Sequence, residues 1–192
     1  GLLAFSSGTA VTGNSGSLLI GTGAATDGRG GLVAISSGSG TSGAGGLVSI
    51  LSGRSTVHTG GALSITSGEG TGTSSGVVTI RSANSGASGV SGSLVFSSGT
   101  SLKGNSGNIM IGTGAATTGR GGLVAISAGS GTSAVGGLVS MWAGKSTTLA
   151  GGLVSIAGGV STLSTGGGVS VASGEGTGTS SGVVTIRSAN SG

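Results

Sequence analysis

Large apolar residues recur along this chain with a period of fifteen. Steps of fifteen from Ile35 reach Ile20 and Phe5 in one direction, and Ile50, Ile65 and Ile80 in the other. One step of sixteen leads to Phe96, and fifteens resume through Ile111, Ile126, Met141, Ile156, Val171 and Ile186. Two residues before each anchor stands a second apolar series: Leu3, Leu18, Val33, Val48, Leu63, Val78, Leu94, Ile109 and onward to Val184. A spacing of two puts both series on one face of a strand. The pattern predicts a core ladder formed by the anchors, with the second series beside it.

The polar positions keep the same period. Ser or Thr usually follows two residues after the anchor (Ser7, Thr22, Ser37, Ser52, Ser67), and Gly one residue later (Gly8, Gly23, Gly38, Gly53, Gly68), with Ala83 and Ala189 as the exceptions in the Gly series. A Gly at a fixed point of each repeat predicts a corner that needs positive φ or close backbone approach. Beyond it comes a Thr ladder: Thr26, Thr41, Thr56 and Thr71, then Thr117, Thr132, Thr147, Thr162 and Thr177. Parity leaves open whether these hydroxyls face inward or outward. A second Gly series, Gly16, Gly31, Gly46, Gly61 and onward to Gly182, closes the repeat.

Each repeat thus reads as a strand, a Gly corner, a short second strand carrying Ser and Thr, and another Gly corner. Gly, Ser and Thr dominate and no 3.6-residue pattern appears, so helices are not expected. Fifteen residues are too few to enclose a core, but stacked repeats could pair strand on strand. The prediction is an all-β chain: a single β-solenoid, or parallel β-helix, of about thirteen coils over residues 1–192. At a rise of about 4.8 Å per coil it would be roughly 60 Å long.

A longer duplication overlies the short one. Gly13 through Ser36 recurs as Gly104 through Ser127, an offset of 91, and Gly60 through Gly86 recurs as Gly166 through Gly192, an offset of 106. The two offsets differ by one coil, so residues 1–91 and 92–192 read as two long units, the second with a coil added. The chain starts and stops in mid-repeat, which suggests a segment of a longer array.

The first strand is apolar on both faces. Its outward positions hold Leu32, Leu47 and Val77, then Leu123, Leu138, Leu153 and Val183. A strand covered on both faces reads as a continuous apolar run, so these seven residues are expected to form an association strip.

Composition sharpens this picture mainly by exclusion. Gly supplies 49 residues, while Pro and Cys are absent. Such a Gly content often marks disorder, but regularly spaced Val and Ile argue for order. Seven Lys and Arg against three acids give a net charge of +4. The basic residues are scattered, which argues against nucleic-acid binding. No apolar run reaches membrane-spanning length, so no membrane insertion is expected.

Candidate chemistry is sparse. Gly38-Ser39-Gly40-Thr41-Ser42-Gly43 has dinucleotide-loop spacing but no helix to follow it. A single Asp, Asp27, cannot supply a calcium site in every coil. His58 lacks an acid partner, and its counterparts are Leu149 and Ser164. With only Asp27, Glu69 and Glu175 as acids, the paired carboxylates of a glycosidase are missing too. No catalytic, cofactor-binding or metal-ligating residue is assigned, and an enzyme is not expected. No Asn-x-Ser/Thr sequon occurs, since Asn14, Asn84, Asn105 and Asn190 precede Ser-Gly and Asn108 precedes Ile-Met.

The Gly-Gly-x-Val-x-Ile-x-Ser-Gly repeat resembles the Gly/Ser/Thr-rich tandem-repeat proteins of microalgal and bacterial fibres and surfaces. That resemblance implies a β-solenoid in an adhesive, sheath or fibre role, located outside the cell or at its surface. The expected function is structural: a filament protein whose partner is a second copy, associating sideways through the Leu/Val strip and end to end through open strand edges. Its Ser and Thr hydroxyls offer acceptors for O-glycans. The alternative is an ice-binding or surface-binding protein using the Thr ladder, which is similar to the ranks of insect and grass antifreeze proteins. Only Thr71-Gly72-Thr73 and Thr177-Gly178-Thr179 have the paired Thr-x-Thr form.

Overall fold

A computed structural model describes residues 1–189, and in it the fifteen-residue period becomes a series of bends. They occupy 11–13, 26–28, 41–43, 56–58 and 71–73, then 87–89, 102–104, 117–119, 132–134, 147–149, 162–164 and 177–179. The one step of sixteen, from 71 to 87, falls where the apolar series makes its own step of sixteen. The last three residues of the second long duplication, Asn190 among them, lie outside the described residues.

Most of these bends are tips of short loops that close on themselves. The Gly46 N–H donates to the Gly38 carbonyl at 2.9 Å, Gly61 to Gly53 at 2.9 Å and Gly76 to Gly68 at 2.9 Å. Gly137 bonds Gly129 at 2.9 Å, Gly152 bonds Gly144 at 2.8 Å, Gly167 bonds Gly159 at 2.8 Å and Gly182 bonds Gly174 at 2.9 Å. Side-chain hydroxyls also close loops, at one of these necks and at two others. Ser37 donates to the Gly46 carbonyl at 2.9 Å, Thr22 to that of Gly31 at 3.1 Å and Thr113 to that of Gly122 at 3.2 Å. At Gly38–Gly46 the neck is set twice, by glycines eight residues apart and by the Ser37 hydroxyl just before the first of them.

This architecture overturns the expected one. Among the described residues there is neither strand nor helix, so the chain is not an all-β fold, β-solenoid or parallel β-helix. The open strand edges expected to serve end-to-end association are likewise absent. The physical reason lies in where the backbone bonds go. A ladder between coils needs the N–H and C=O groups of one repeat to reach the next. Here the neck bonds join two points of the same repeat, and the segment expected as the second strand is spent on a bend.

The glycines also divide differently from expectation. Among the described residues only Gly8 and Gly13 have positive φ, at 79° and 85°. At Gly38, Gly53 and Gly129 a Cβ would meet nothing within 4 Å. The constraint falls instead on the closing series. A Cβ on Gly46 would lie 2.9 Å from the Ser37 Cβ, one on Gly31 2.7 Å from the Thr22 Cβ, and one on Gly137 2.9 Å from the Ala128 Cβ. Close approach of the two sides of the neck is what excludes a side chain there.

The chain divides into two units, Gly1–Leu94 and Val95–Gly192. The first holds the necks at Gly38, Gly53 and Gly68; the second holds those at Gly129, Gly144, Gly159 and Gly174.

Candidate association surface

Loops closed only at their necks enclose nothing. Among the described residues no hydrophobic side chain and no polar side chain is buried. The chain exposes 18883 Å². A folded globular protein of 17.2 kDa would expose about 7,800 Å², and the fully unfolded chain about 25,000 Å². Its surface is therefore closer to that of an open chain than to that of a self-contained globule.

The apolar series nevertheless differ in environment. Val184 is the most shielded, 45% exposed, followed by Val33, Val48, Val124 and Val154 at 47%. The anchors expected to form the core ladder lie at the surface, from Ile80 at 55% to Ile186 at 92% exposed. The association strip is uniformly exposed. Leu32, Leu47 and Val77 are 84%, 85% and 86% exposed, and Leu123, Leu138, Leu153 and Val183 lie between 85% and 86%. Seven positions in two units share one environment because each occupies the same point between a closed neck and the next apolar pair.

The Thr ladder occupies another fixed point. Thr26, Thr41, Thr56, Thr71, Thr117, Thr132, Thr147, Thr162 and Thr177 each begin a bend and are exposed. The residue before each bend sorts the loops. Where it is Ser, its hydroxyl caps the bend: the His58 N–H donates to Ser55 Oγ at 2.9 Å, Leu149 to Ser146 at 2.9 Å, Ser164 to Ser161 at 2.9 Å and Gly104 to Ser101 at 3.0 Å. Where it is Gly, as at Gly40, Gly70, Gly131 and Gly176, a Cβ would run into the backbone carbonyls of the returning segment. The sequence signal for the caps is a Ser three residues before an N–H that a bend leaves free.

Substituting Ser55 or Ser146 with Ala will remove the cap and leave the neck intact. At an exposed loop the cost is about 0.5–1 kcal/mol. Amide exchange should become several-fold faster at His58 and Leu149 respectively, while Gly61 and Gly152, the neck donors of those loops, keep their rates. Equal acceleration at cap and neck would show that the cap holds the whole loop rather than its tip.

Other chemistry finds little support. No group of three or more His, Cys, Asp or Glu able to hold a metal ion occurs among the described residues. A shallow depression is lined by Arg81, Ser82, Ala83 and Asn84, which hold no acid–base pair. Trp142 stands exposed four residues after Leu138, its indole N–H donating to the Ser140 hydroxyl. No protein-family model, curated protein or solved structure matches the chain.

Proposed function

We propose that this is a structural protein that self-associates into filaments, with the exposed Leu/Val strip as its contact. The observation that carries the proposal is the absence of any buried apolar side chain among the described residues. Monomeric soluble proteins rarely leave contiguous apolar patches above a few hundred Å² uncovered. Burial recovers roughly 25 cal/mol for each Å² of apolar surface, and a chain with no interior can recover it only against another molecule. The resemblance of the repeats to extracellular fibre proteins is the ground for placing the protein outside the cell or at its surface. There the exposed Thr and Ser hydroxyls would be open to O-linked sugars.

The test is sedimentation of the purified chain over a range of concentrations. The weight-average mass is expected to rise with concentration, to rise further with added sulfate and to fall in dilute urea, as apolar contacts do. Sodium chloride should have little effect, because the chain carries only seven basic and three acidic residues. A chain that stays monomeric throughout would overturn the proposal. The Thr-based ice-binding or surface-binding alternative would then be examined by thermal hysteresis.

A further inference from the structure

One loop combines an acid, a glycine and an uncapped bend. Asp27, the sole aspartate of the sequence, is the middle residue of the bend at 26–28 and is exposed. Gly28 follows it, and a Cβ there would meet only the Ala25 Cβ, at 4.0 Å, so nothing crowds the approach to its nitrogen. The equivalent position two repeats on is His58, whose N–H is held by the Ser55 hydroxyl at 2.9 Å. In the Asp27 loop the place of Ser55 is taken by Ala25, which has no hydroxyl to hold the Gly28 N–H. We propose that Asp27-Gly28 is a self-modification site, where the main chain converts to an isoaspartyl linkage through a succinimide because the bend lacks its cap.

The step needs no reagent but water. The Gly28 nitrogen attacks Asp27 Cγ, closing a ring of that nitrogen with the carbonyl carbon, Cα, Cβ and Cγ of Asp27. The new N–Cγ bond replaces the N–H, and a carboxyl oxygen leaves as water. Water then adds to either imide carbonyl. Opening at Cγ restores aspartate; opening at the former main-chain carbonyl leaves Gly28 joined to Cγ and frees an α-carboxylate. Nothing is oxidised or reduced, mass and charge are unchanged, and the main chain through the bend gains a methylene. Glycine leaves the attacking nitrogen unshielded, and a missing side-chain acceptor leaves its N–H without a local competitor. The second unit carries the same loop without the acid. Thr117-Thr118-Gly119 repeats the bend, and a Cβ on Gly119 again lies 4.0 Å from the Ala116 Cβ. Thr113 closes that loop onto the Gly122 carbonyl at 3.2 Å, as Thr22 closes the first onto Gly31 at 3.1 Å. Thr118 in place of Asp27 confines this chemistry to the first unit.

The experiment incubates the full chain and three variants for weeks at neutral pH, then digests them with a protease that cuts before aspartate. Isoaspartate resists that cut and accepts a methyl group from S-adenosylmethionine through an isoaspartyl methyltransferase. It also leaves peptide mass unchanged, unlike deamidation at Asn14, Asn84 or Asn105. The parent is expected to lose the cut at Asp27 progressively and to gain the methyl label on the peptide that contains it. Gly28→Ala keeps the loop uncrowded, since φ at Gly28 is not positive, and should slow the change several-fold by shielding the nitrogen. Ala25→Ser supplies the missing cap and should slow amide exchange at Gly28 and isomerisation alike, by about two- to five-fold. Thr118→Asp should create a second site, in the other unit, that reacts at close to the parental rate. A parent that keeps the cut at Asp27 and gains no label would overturn the proposal. An unaltered isomerisation rate in Ala25→Ser, or an inert residue 118 in Thr118→Asp, would overturn it as well, by showing that this loop does not set the reactivity.

Discussion

The chain with Leu32, Leu47, Leu123, Leu138 and Leu153 all replaced by Ser will remain monomeric at concentrations where the parent assembles. Each of these side chains is at least 84% exposed in the single chain, so little of its apolar surface is already withdrawn from water. Whatever stabilisation they provide must come from a contact with another molecule. Full burial of a Leu is worth about 1.5–3 kcal/mol. Two on each side of a contact between copies would give about 6–12 kcal/mol as an upper figure, and each 1.4 kcal/mol is about a tenfold change in affinity. Removing them should weaken association by about four orders of magnitude or more. The measurement is the sedimentation series used for the parent. Assembly at the parental concentration would mean that another surface carries the contact, with Trp142 and Leu51 as the next residues to replace.

Gly46→Ala will open its loop, whereas Gly38→Ala will leave it closed. The two glycines share one hydrogen bond, the Gly46 N–H to the Gly38 carbonyl at 2.9 Å, yet their surroundings differ. A Cβ on Gly46 would stand 2.9 Å from the Ser37 Cβ and 3.3 Å from the Gly38 nitrogen, while one on Gly38 meets nothing within 4 Å. The two sides of the neck must separate to admit the methyl group. That separation removes the backbone bond and weakens the Ser37 hydroxyl bond to the Gly46 carbonyl at 2.9 Å. Each such bond contributes about 0.5–1.5 kcal/mol. Amide exchange at residue 46 should approach the rate of an unprotected peptide in Gly46→Ala and stay near the parental rate in Gly38→Ala. The same contrast is expected between Gly137→Ala and Gly129→Ala, whose geometry repeats it. Equal effects from both substitutions would mean that loss of glycine flexibility, rather than crowding at the neck, governs closure.

Placing the glycine requirement illustrates how far the residues alone could be read. Two Gly series stand at fixed points of the repeat, and composition does not rank them. The first looked like the corner that needs special geometry, yet at Gly38 there is open space and φ is not positive. The second is crowded, because it is the point at which the loop returns to the residue two after the anchor. A return contact nine residues back in the chain depends on the path of the intervening bend, and nothing local in Gly46 encodes it. The Ser caps were closer to legible: Ser55 and Ser146 reach N–H groups only three residues on.

Periodicity was the property that one-dimensional information could determine. The repeat length, its single sixteen-residue step and the duplication all follow from residue identity, and the bends keep the same spacing. The seven strip positions could be grouped for the same reason, since equivalent points of equivalent repeats meet equivalent surroundings. Tertiary structure alone decided where the backbone bonds go. Alternating Val and Ile are compatible with a strand in a ladder and with a segment between two closed loops, because spacing of two sets which residues share a face but not what lies opposite it. Among the described residues the neck glycines and hydroxyls bond within their own repeat, no ladder joins one repeat to the next, and the apolar series remain exposed.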